Sequence, residues 1–443
     1  MKMSGNLRGA LMYRLAIVFF VYVISVASAR AENWPAWRGP TGDGVSTEKN
    51  LPVKWSPTEN VRWKVALPNA GNSTPIIWGD RVFITQANDV TQWPPKVPEY
   101  YAGGASPGGF AIAAKRSVMC FDRADGTLLW QADTPYAHAE MTHSDNPFCA
   151  ASPVTDGERV IASHGPAGLV CYDFAGKELW KYDVGKYEHL WGTASSPILH
   201  GDLCILWCGP GERQFLVAVN KKTGEKVWET HEPGGDAGIT TKNFLGSWCT
   251  PIIARVGDQD QLIFAVPHKL KGYDPQTGEE LWSARLGGTY CYYSPLHADG
   301  ITIYGDTLLK LGGTGDVSTD QLGHRVGAMF ISTPVLVGDH LYTLNNVGVP
   351  NCFEWKTGKE LWKSQVNERP GSRDAWGSLV YADGRIYIAD REGTTTVFAA
   401  GPKYEHLATN KLGGERTHAS IAVSQGDLYI RTYKHLWCIG PAK

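Results

Sequence analysis

The chain has 443 residues, with 42 lysines and arginines against 44 aspartates and glutamates and a 43% hydrophobic content. This near-balance, without a long single-sign run, excludes the clustered basic surface that gripping nucleic acid requires. The apolar fraction can build a large core, and β architectures of this length can form one domain.

In chain order, the first feature is a leader. Lys2, Arg8 and Arg14 precede an apolar run from Leu15 to Val26, and small residues follow at Ala27-Ser28-Ala29 and Ala29-Arg30-Ala31. A basic start, a short apolar middle and an A-x-A end form the pattern of a cleavable secretory signal. Residues 1–31 are therefore expected to be removed after Ala31, leaving a mature chain without a transmembrane segment in the periplasm or cell envelope. An uncleaved anchor is the alternative. Removing the leader's four basic residues leaves 38 basic against 44 acidic, a net charge of −6. No cysteine stands at the cleavage point, so a lipoprotein anchor is not expected. The chain has nine cysteines, an odd number that argues against a complete disulfide framework.

Residues 32–60 read as an N-terminal extension opening on Asn33-Trp34-Pro35-Ala36-Trp37-Arg38-Gly39-Pro40, and Val61 to Val65 reads as a strand carrying Trp63. Residues 61–443 then repeat. Five segments place an acidic or amide residue, a glycine and a tryptophan in the same order, the second one residue shorter than the others: Asp122, Gly126 and Trp130; Asp173, Gly176 and Trp180; Asn220, Gly224 and Trp228; Asp274, Gly278 and Trp282; Glu354, Gly358 and Trp362. The side-chain oxygen can accept turn N–H groups, the glycine supplies a positive φ, and the tryptophan can pack one sheet on the next. Cys120, Cys171 and Cys352 fill a small-residue position of this pattern, and Cys438 occupies the comparable strand near the C-terminus, so these four read as buried apolar side chains.

Two further marks set the number of units. Ser/Thr-Pro opens a hydrophobic strand at Thr74, Ser152, Ser196, Thr250, Ser294 and Thr333, and Ser378 and Ser420 continue the series without proline. A Gly/Asp turn follows each. Proline at the start of a strand suits an edge, where no partner needs its N–H. Eight units of four strands describe an all-β, eight-bladed propeller. The strand at Val61–Val65 is expected to complete the last blade and close the ring by pairing N- and C-terminal segments. Seven blades with an irregular fifth unit, Tyr292 to about Gly323, is the alternative, since that unit lacks the tryptophan.

In such a meander, the loops leading into the inner strands share a face with the loops joining second and third strands. An insertion at Gln86–Lys115, rich in proline and aromatics, falls on that face as a lid, a binding loop or a decoration. The lead-in loops bring His143, Asn146, Trp191, Trp248, Arg325, Arg373, Asp374, Trp376, Arg416 and His418 to one channel mouth, a candidate site for a protein partner or small ligand. No metal site is expected: His138 and His143 have no third ligand implied by spacing, and Cys204 and Cys208 lie too far apart on one strand to bridge.

Ala218 to Trp228 resembles the tryptophan-docking motif of pyrroloquinoline quinone (PQQ)-like propellers, and the opening Asn33–Pro40 is similar to that of secreted bacterial members. The resemblance spans nearly the whole mature chain and implies two kinds of function. One is PQQ-dependent oxidation of alcohols or sugars, usually with Ca²⁺. This chain lacks the adjacent cysteine pair of the alcohol-oxidising branch and offers no clear calcium set. The other is a BamB-like, non-catalytic scaffold that binds envelope proteins, with no cofactor; that reading fits the size and blade count better, although the lipidation cysteine is missing.

Overall fold

The computed structural model describes residues 32–92, 110–235, 245–323, 326, 331–345, 348–364 and 375–441, and the leader lies outside them. The fold is all β, an eight-bladed propeller of antiparallel blades. The first blade runs Ile76–Trp78, Arg81–Gln92, Phe110–Asp122 and Leu128–Pro135 from inner to outer edge. Each later inner strand begins directly after its proline where one is present, as at Val154–Thr155, Ile198–His200 and Ile252–Val256. Proline thus sits at a sheet edge, where its missing N–H breaks no ladder.

The last blade contains Ala422–Ser424, Asp427–Arg431 and His435–Ile439, and its outer strand is Val61–Ala66. Trp63 lies opposite Cys438 in that pairing. The ring is closed by its two ends, which leaves neither as an open seam.

Why eight units close becomes clear at the inner edge. The amide of Thr74 donates to Ser152 Oγ (2.9 Å), Ser152 to Ser196 Oγ (2.9 Å), Ser196 to Thr250 Oγ1 (3.0 Å) and Thr250 to Ser294 Oγ (3.2 Å). Ser294 donates to Thr333 Oγ1 (3.2 Å), Thr333 to Ser378 Oγ (3.2 Å), Ser378 to Ser420 Oγ (2.9 Å) and Ser420 back to Thr74 Oγ1 (3.1 Å). The circuit is complete, with one hydroxyl and one amide from each blade. All eight residues are buried, so each bond satisfies an N–H that water cannot reach. A second lock lies at the closing interface. The fully buried Arg431 of the last blade donates to Thr85 O (2.7 Å), Gln86 Oε1 (2.8 Å) and Ser73 Oγ of the first blade.

The outer half of each blade is joined to the next by tryptophan. The indole N–H groups of Trp63, Trp130, Trp180, Trp228 and Trp362 donate to Arg123, Phe174, Lys221, Pro275 and Gly401 carbonyls at 2.9–3.0 Å. Each acceptor lies in the following blade's turn. A Cβ on Gly224 would come within 2.7 Å of the Trp180 ring, and φ there is +75°, so both space and backbone require glycine. The small-residue position is also explained: Cys120, Cys171, Ala218, Gly272 and Cys352 lie directly opposite Trp130, Trp180, Trp228, Trp282 and Trp362 across the ladder. Anything larger would displace the indole. Cys120, Cys171, Cys352 and Cys438 are fully buried, as the pattern predicts.

The fifth blade departs from the others. It has Leu296–Ala298, Ile301–Tyr304 and Thr307–Lys310, while the next segment, Gly315–Asp316, pairs in parallel with Glu280–Arg285 of the fourth blade. Without a repeat turn to receive it, Trp282 donates within its own blade, to Gln261 Oε1 at 2.8 Å. The first blade corrects one sequence boundary. Strand pairing continues to Gln92↔Ala111, so much of the expected 86–115 loop is ladder; residues 93–109 lie outside the described residues. The neighbouring prolines and aromatics hid this pairing in the sequence.

The N-terminal extension crosses the ring. Trp34 exchanges backbone bonds with Ile77 of the first blade (2.9 and 2.8 Å), and Pro35 O accepts from Thr155 of the second (2.9 Å). The buried Arg38 then reaches Leu379 O (2.6 Å) and Pro334 O (2.9 Å) of the seventh and sixth blades. Burial lowers its guanidinium to about 10, still charged at neutral pH. Edge carbonyls that no strand satisfies are satisfied by this strap.

Ser152→Ala removes the acceptor of the Thr74 amide and is expected to cost about 1–3 kcal/mol, while Ser152→Thr, which keeps the hydroxyl, should stay close to wild type by chemical denaturation. Trp180→Ala is expected to cost about 3–5 kcal/mol. Gly224→Ala, which leaves the indole in place but fills its seat, should also lower the thermal midpoint.

Candidate functional site

Above the hydroxyl ring, the loops leading into the inner strands surround a cavity of about 380 Å³. Every blade contributes: Asn72, His143 with Asn146, Trp191, Trp248, Tyr292, Ile331, Trp376 and His418, in blade order. Ring residues Ser196, Thr250, Thr333, Ser378 and Ser420 also line it, as does Trp37 of the strap. A second cavity of about 240 Å³, lined by Pro35–Gly42 and the inner strands of the second to fifth blades, shares Trp37. The strap therefore gives the mouth cavity part of its wall.

Neighbouring loops hold one another in place. Asn72 Nδ2 donates to Asp145 O (2.9 Å), Asn146 Nδ2 to Trp191 O (2.7 Å), and Trp248 Nε1 to Gly192 O (2.8 Å). Gly246–Ser247 pairs in parallel with Tyr290–Cys291, fixing the fourth lead-in loop to the fifth. A site built on loops thus gains the rigidity of a backbone ladder.

The two sides of the mouth differ chemically. One is an aromatic wall: Trp191 and Trp248 have ring centroids 5.5 Å apart, and Tyr292 stacks on Trp248 at 5.5 Å and 24°. The other is polar. Trp376 lies 4.5 Å from the His418 ring and 6.5 Å from His143. Behind it the buried Asp145 carboxylate meets Arg391 Nη2 at 2.8 Å and Arg416. His418 Nε2 stands 3.6 Å from Asp145, an ion-pair distance longer than a hydrogen bond. The His418 imidazole, with Arg391 and Arg416, holds the Asp145 carboxyl below the usual carboxylate range. Burial holds His418 below the ordinary imidazole range against the pull of Asp145, so it is neutral at pH 7.

Of the residues expected at the mouth, His143, Asn146, Trp191, Trp248, Trp376 and His418 line the cavity. Arg416 stands beside it on Asp145, its guanidinium over the Tyr433 ring at 5.7 Å. Arg325, Arg373 and Asp374 lie outside the described residues. The sequence reading missed Trp37, Asn72, Tyr292 and Arg391 as site residues. Arg391 was findable, because it lies between the second and third strands of its blade, on the face already identified. Trp37 was not, since nothing local shows that the extension enters the channel.

Among the described residues, no group of three or more His, Cys, Asp or Glu is placed to hold a metal ion, and no helix is long and apolar enough to cross a membrane. The nine cysteines stand as thiols. Burial raises Cys149 to about 11 and Cys291 to about 12, and pushes Cys249 up as well, so the thiols near the mouth remain protonated and poorly nucleophilic.

Known proteins share this architecture. A family model described as outer membrane protein assembly factor BamB matches residues 114–291 and 267–434. The solved BamB of Moraxella catarrhalis is 14% identical with a TM-score of 0.50, covering 81% of this chain and 98% of that one. Quinohemoprotein alcohol dehydrogenase from Comamonas testosteroni is 12% identical with a TM-score of 0.62, covering 93% of this chain and 81% of that one. A europium-containing methanol dehydrogenase, 11% identical, has a TM-score of 0.61 and coverages of 90% and 89%. At these identities the structural likenesses speak for the fold alone. Tetrathionate hydrolase of Acidithiobacillus ferrooxidans is 19% identical over 379 residues, 84% of this chain, and the chain spans 65% of that relative's length. Because the family model covers well over half of the sequence, the chain belongs to the BamB-like family of PQQ-like propellers.

Proposed function

We propose that this protein is an exported binding propeller that holds a ligand or an envelope partner at its channel mouth without transforming it. The observation that carries the reading is the convergence of all eight lead-in loops on one aromatic-walled cavity. Its volume falls in the range of small-ligand sites, about 300–1,000 Å³, and stacked indoles give large contact area at little entropic cost. Family membership supports an envelope role, since the family description is that of an outer-membrane assembly factor.

The chemistry of the mouth supports holding over turnover. Neither ring nitrogen of His418 makes a hydrogen bond to a hydroxyl that it could activate as a nucleophile. Asp145 is already paired with two guanidiniums, which together with His418 hold its pKa down and leave it a poor base.

The donor set of the described residues does not favour PQQ with Ca²⁺. No Asp or Glu among the described residues lines the cavity, and Asp145 behind it shares Oδ1 between Arg391 and Arg416, which would compete with and repel a divalent cation. The side-chain amide nitrogens of Asn72 and Asn146 are committed to backbone carbonyls, leaving one oxygen each. Two amide oxygens without a carboxylate make a weak calcium site.

The purified mature protein is expected to take up no stoichiometric PQQ in the presence of Ca²⁺ and to reduce no dye with alcohols or glucose. A shifted quinone absorption band at one equivalent would overturn the non-catalytic reading. Affinity capture from envelope extracts is expected to lose its partner when Trp191 and Trp376 are both changed to alanine. The same capture with residues 93–109 deleted, keeping the paired strands, separates the mouth from the insertion. An unchanged partner set with a folded double variant would move recognition away from the mouth.

A further inference from the structure

Among the described residues the cavity lining carries no charged side chain, and that points to a ligand class. Its described side chains are aromatic rings, hydroxyls, amides, imidazoles and the aliphatic Ala150, Ala194 and Ile331, with no Asp, Glu, Lys or Arg. An organic cation would be drawn to the indole faces. Behind the wall, however, two guanidiniums, Arg391 and Arg416, stand against the Asp145 carboxylate, a surrounding that does not favour a cation. An organic anion would gain little either, because both guanidiniums are already engaged and do not reach the cavity surface.

What the lining does offer is hydrogen bonding of both senses beside flat apolar faces. Ser196, Thr250, Thr333, Ser378 and Ser420 each spend a lone pair on the neighbouring blade's amide. Each hydroxyl keeps one proton of its own to donate. Asn72 also lines the cavity, and its Oδ1 is a buried acceptor without a hydrogen-bond partner. His418, only 7% exposed, lines the cavity with its Nε2 facing Asp145 at 3.6 Å and its Nδ1 without a hydrogen bond, an acceptor in the neutral ring. A buried polar group left unpaired is costly, and a hydroxyl-bearing ligand that reached it would relieve that cost.

We propose that the mouth cavity binds a neutral saccharide, with a pyranose ring stacked on Trp191 and Trp376 and its hydroxyls taken by His418, Asn72 and the serine–threonine ring. A pyranose presents polarised C–H groups on one face and hydroxyls on its rim, which matches an indole wall around a polar floor. The inference rests on the mouth being the recognition site and adds the class of what it recognises. Trp37 contributes a further aromatic surface, so the strap belongs to the site as well as to the fold.

The test is titration of the mature protein with maltotriose, cellotriose and chitotriose, followed by tryptophan fluorescence and calorimetry, with choline and benzoate as charged probes. At least one trisaccharide is expected to bind with altered indole emission. Trp376→Ala should weaken it about 30-fold, the scale of an aromatic hot spot of about 2 kcal/mol. Trp376→Phe, which preserves a stacking face and guards against misfolding, should weaken it far less. Binding of choline or benzoate alone, lost in the same variants, would overturn the saccharide class and leave the mouth as the recognition site. Absence of binding by every probe overturns the saccharide inference; the mouth itself falls only when partner capture also survives the Trp191 and Trp376 replacement.

Discussion

Eight buried backbone amides at the inner edges must find partners, and each finds the hydroxyl of the next blade. This circuit of serine and threonine ties every blade to the next, one amide and one hydroxyl from each, and runs from the last blade back to the first. It also places the prolines, which follow the ring residues and start strands whose edge faces the channel. The outer tryptophans then fix blade spacing by a second contact, indole on glycine turn, far from the axis. With inner and outer contacts both set, each blade has little freedom to rotate against the next.

The fifth blade shows how far the pattern can relax. It lacks the tryptophan and the glycine turn, yet Ser294 keeps both its bonds in the ring. Outer packing is rebuilt locally: Gly315–Asp316 lies along the fourth blade, and Trp282 turns to Gln261. The inner circuit tolerates no such rebuilding, because a buried amide at the axis has no alternative partner. Closure adds charge in a dry place. Arg431 spans the seam between last and first blades, where its guanidinium finds a carbonyl, an amide oxygen and a hydroxyl.

The same geometry produces the mouth. Residues just before each ring position are carried to one rim, so loops distant in sequence, such as those of Asp145 and Arg416, meet as an ion pair 271 residues apart. The hydroxyls that hold the blades together are also the lining of the cavity above them. Fold and candidate site therefore share atoms, and a change at Ser420 or Thr333 acts on both.

Much of this was legible in the sequence. The Asp–Gly–Trp repeat is local, because a turn, a strand pair and an indole seat are each decided within a dozen residues. The Ser/Thr series gave the count even where tryptophan or proline failed, since a hydroxyl is needed at every blade. Six mouth residues, from His143 to His418, followed from strand order alone. Tertiary structure decided the rest. Nothing in Trp34–Arg38 reveals that the strap crosses the channel to the sixth and seventh blades, as its partners are carbonyls, which every sequence has. Nor could pattern distinguish a paired extension at 86–92 from a loop, or show that Asp145 would be neutralised by Arg391 and Arg416. Local periodicity reports which groups must be buried or turned; which distant group answers each one depends on the ring having closed.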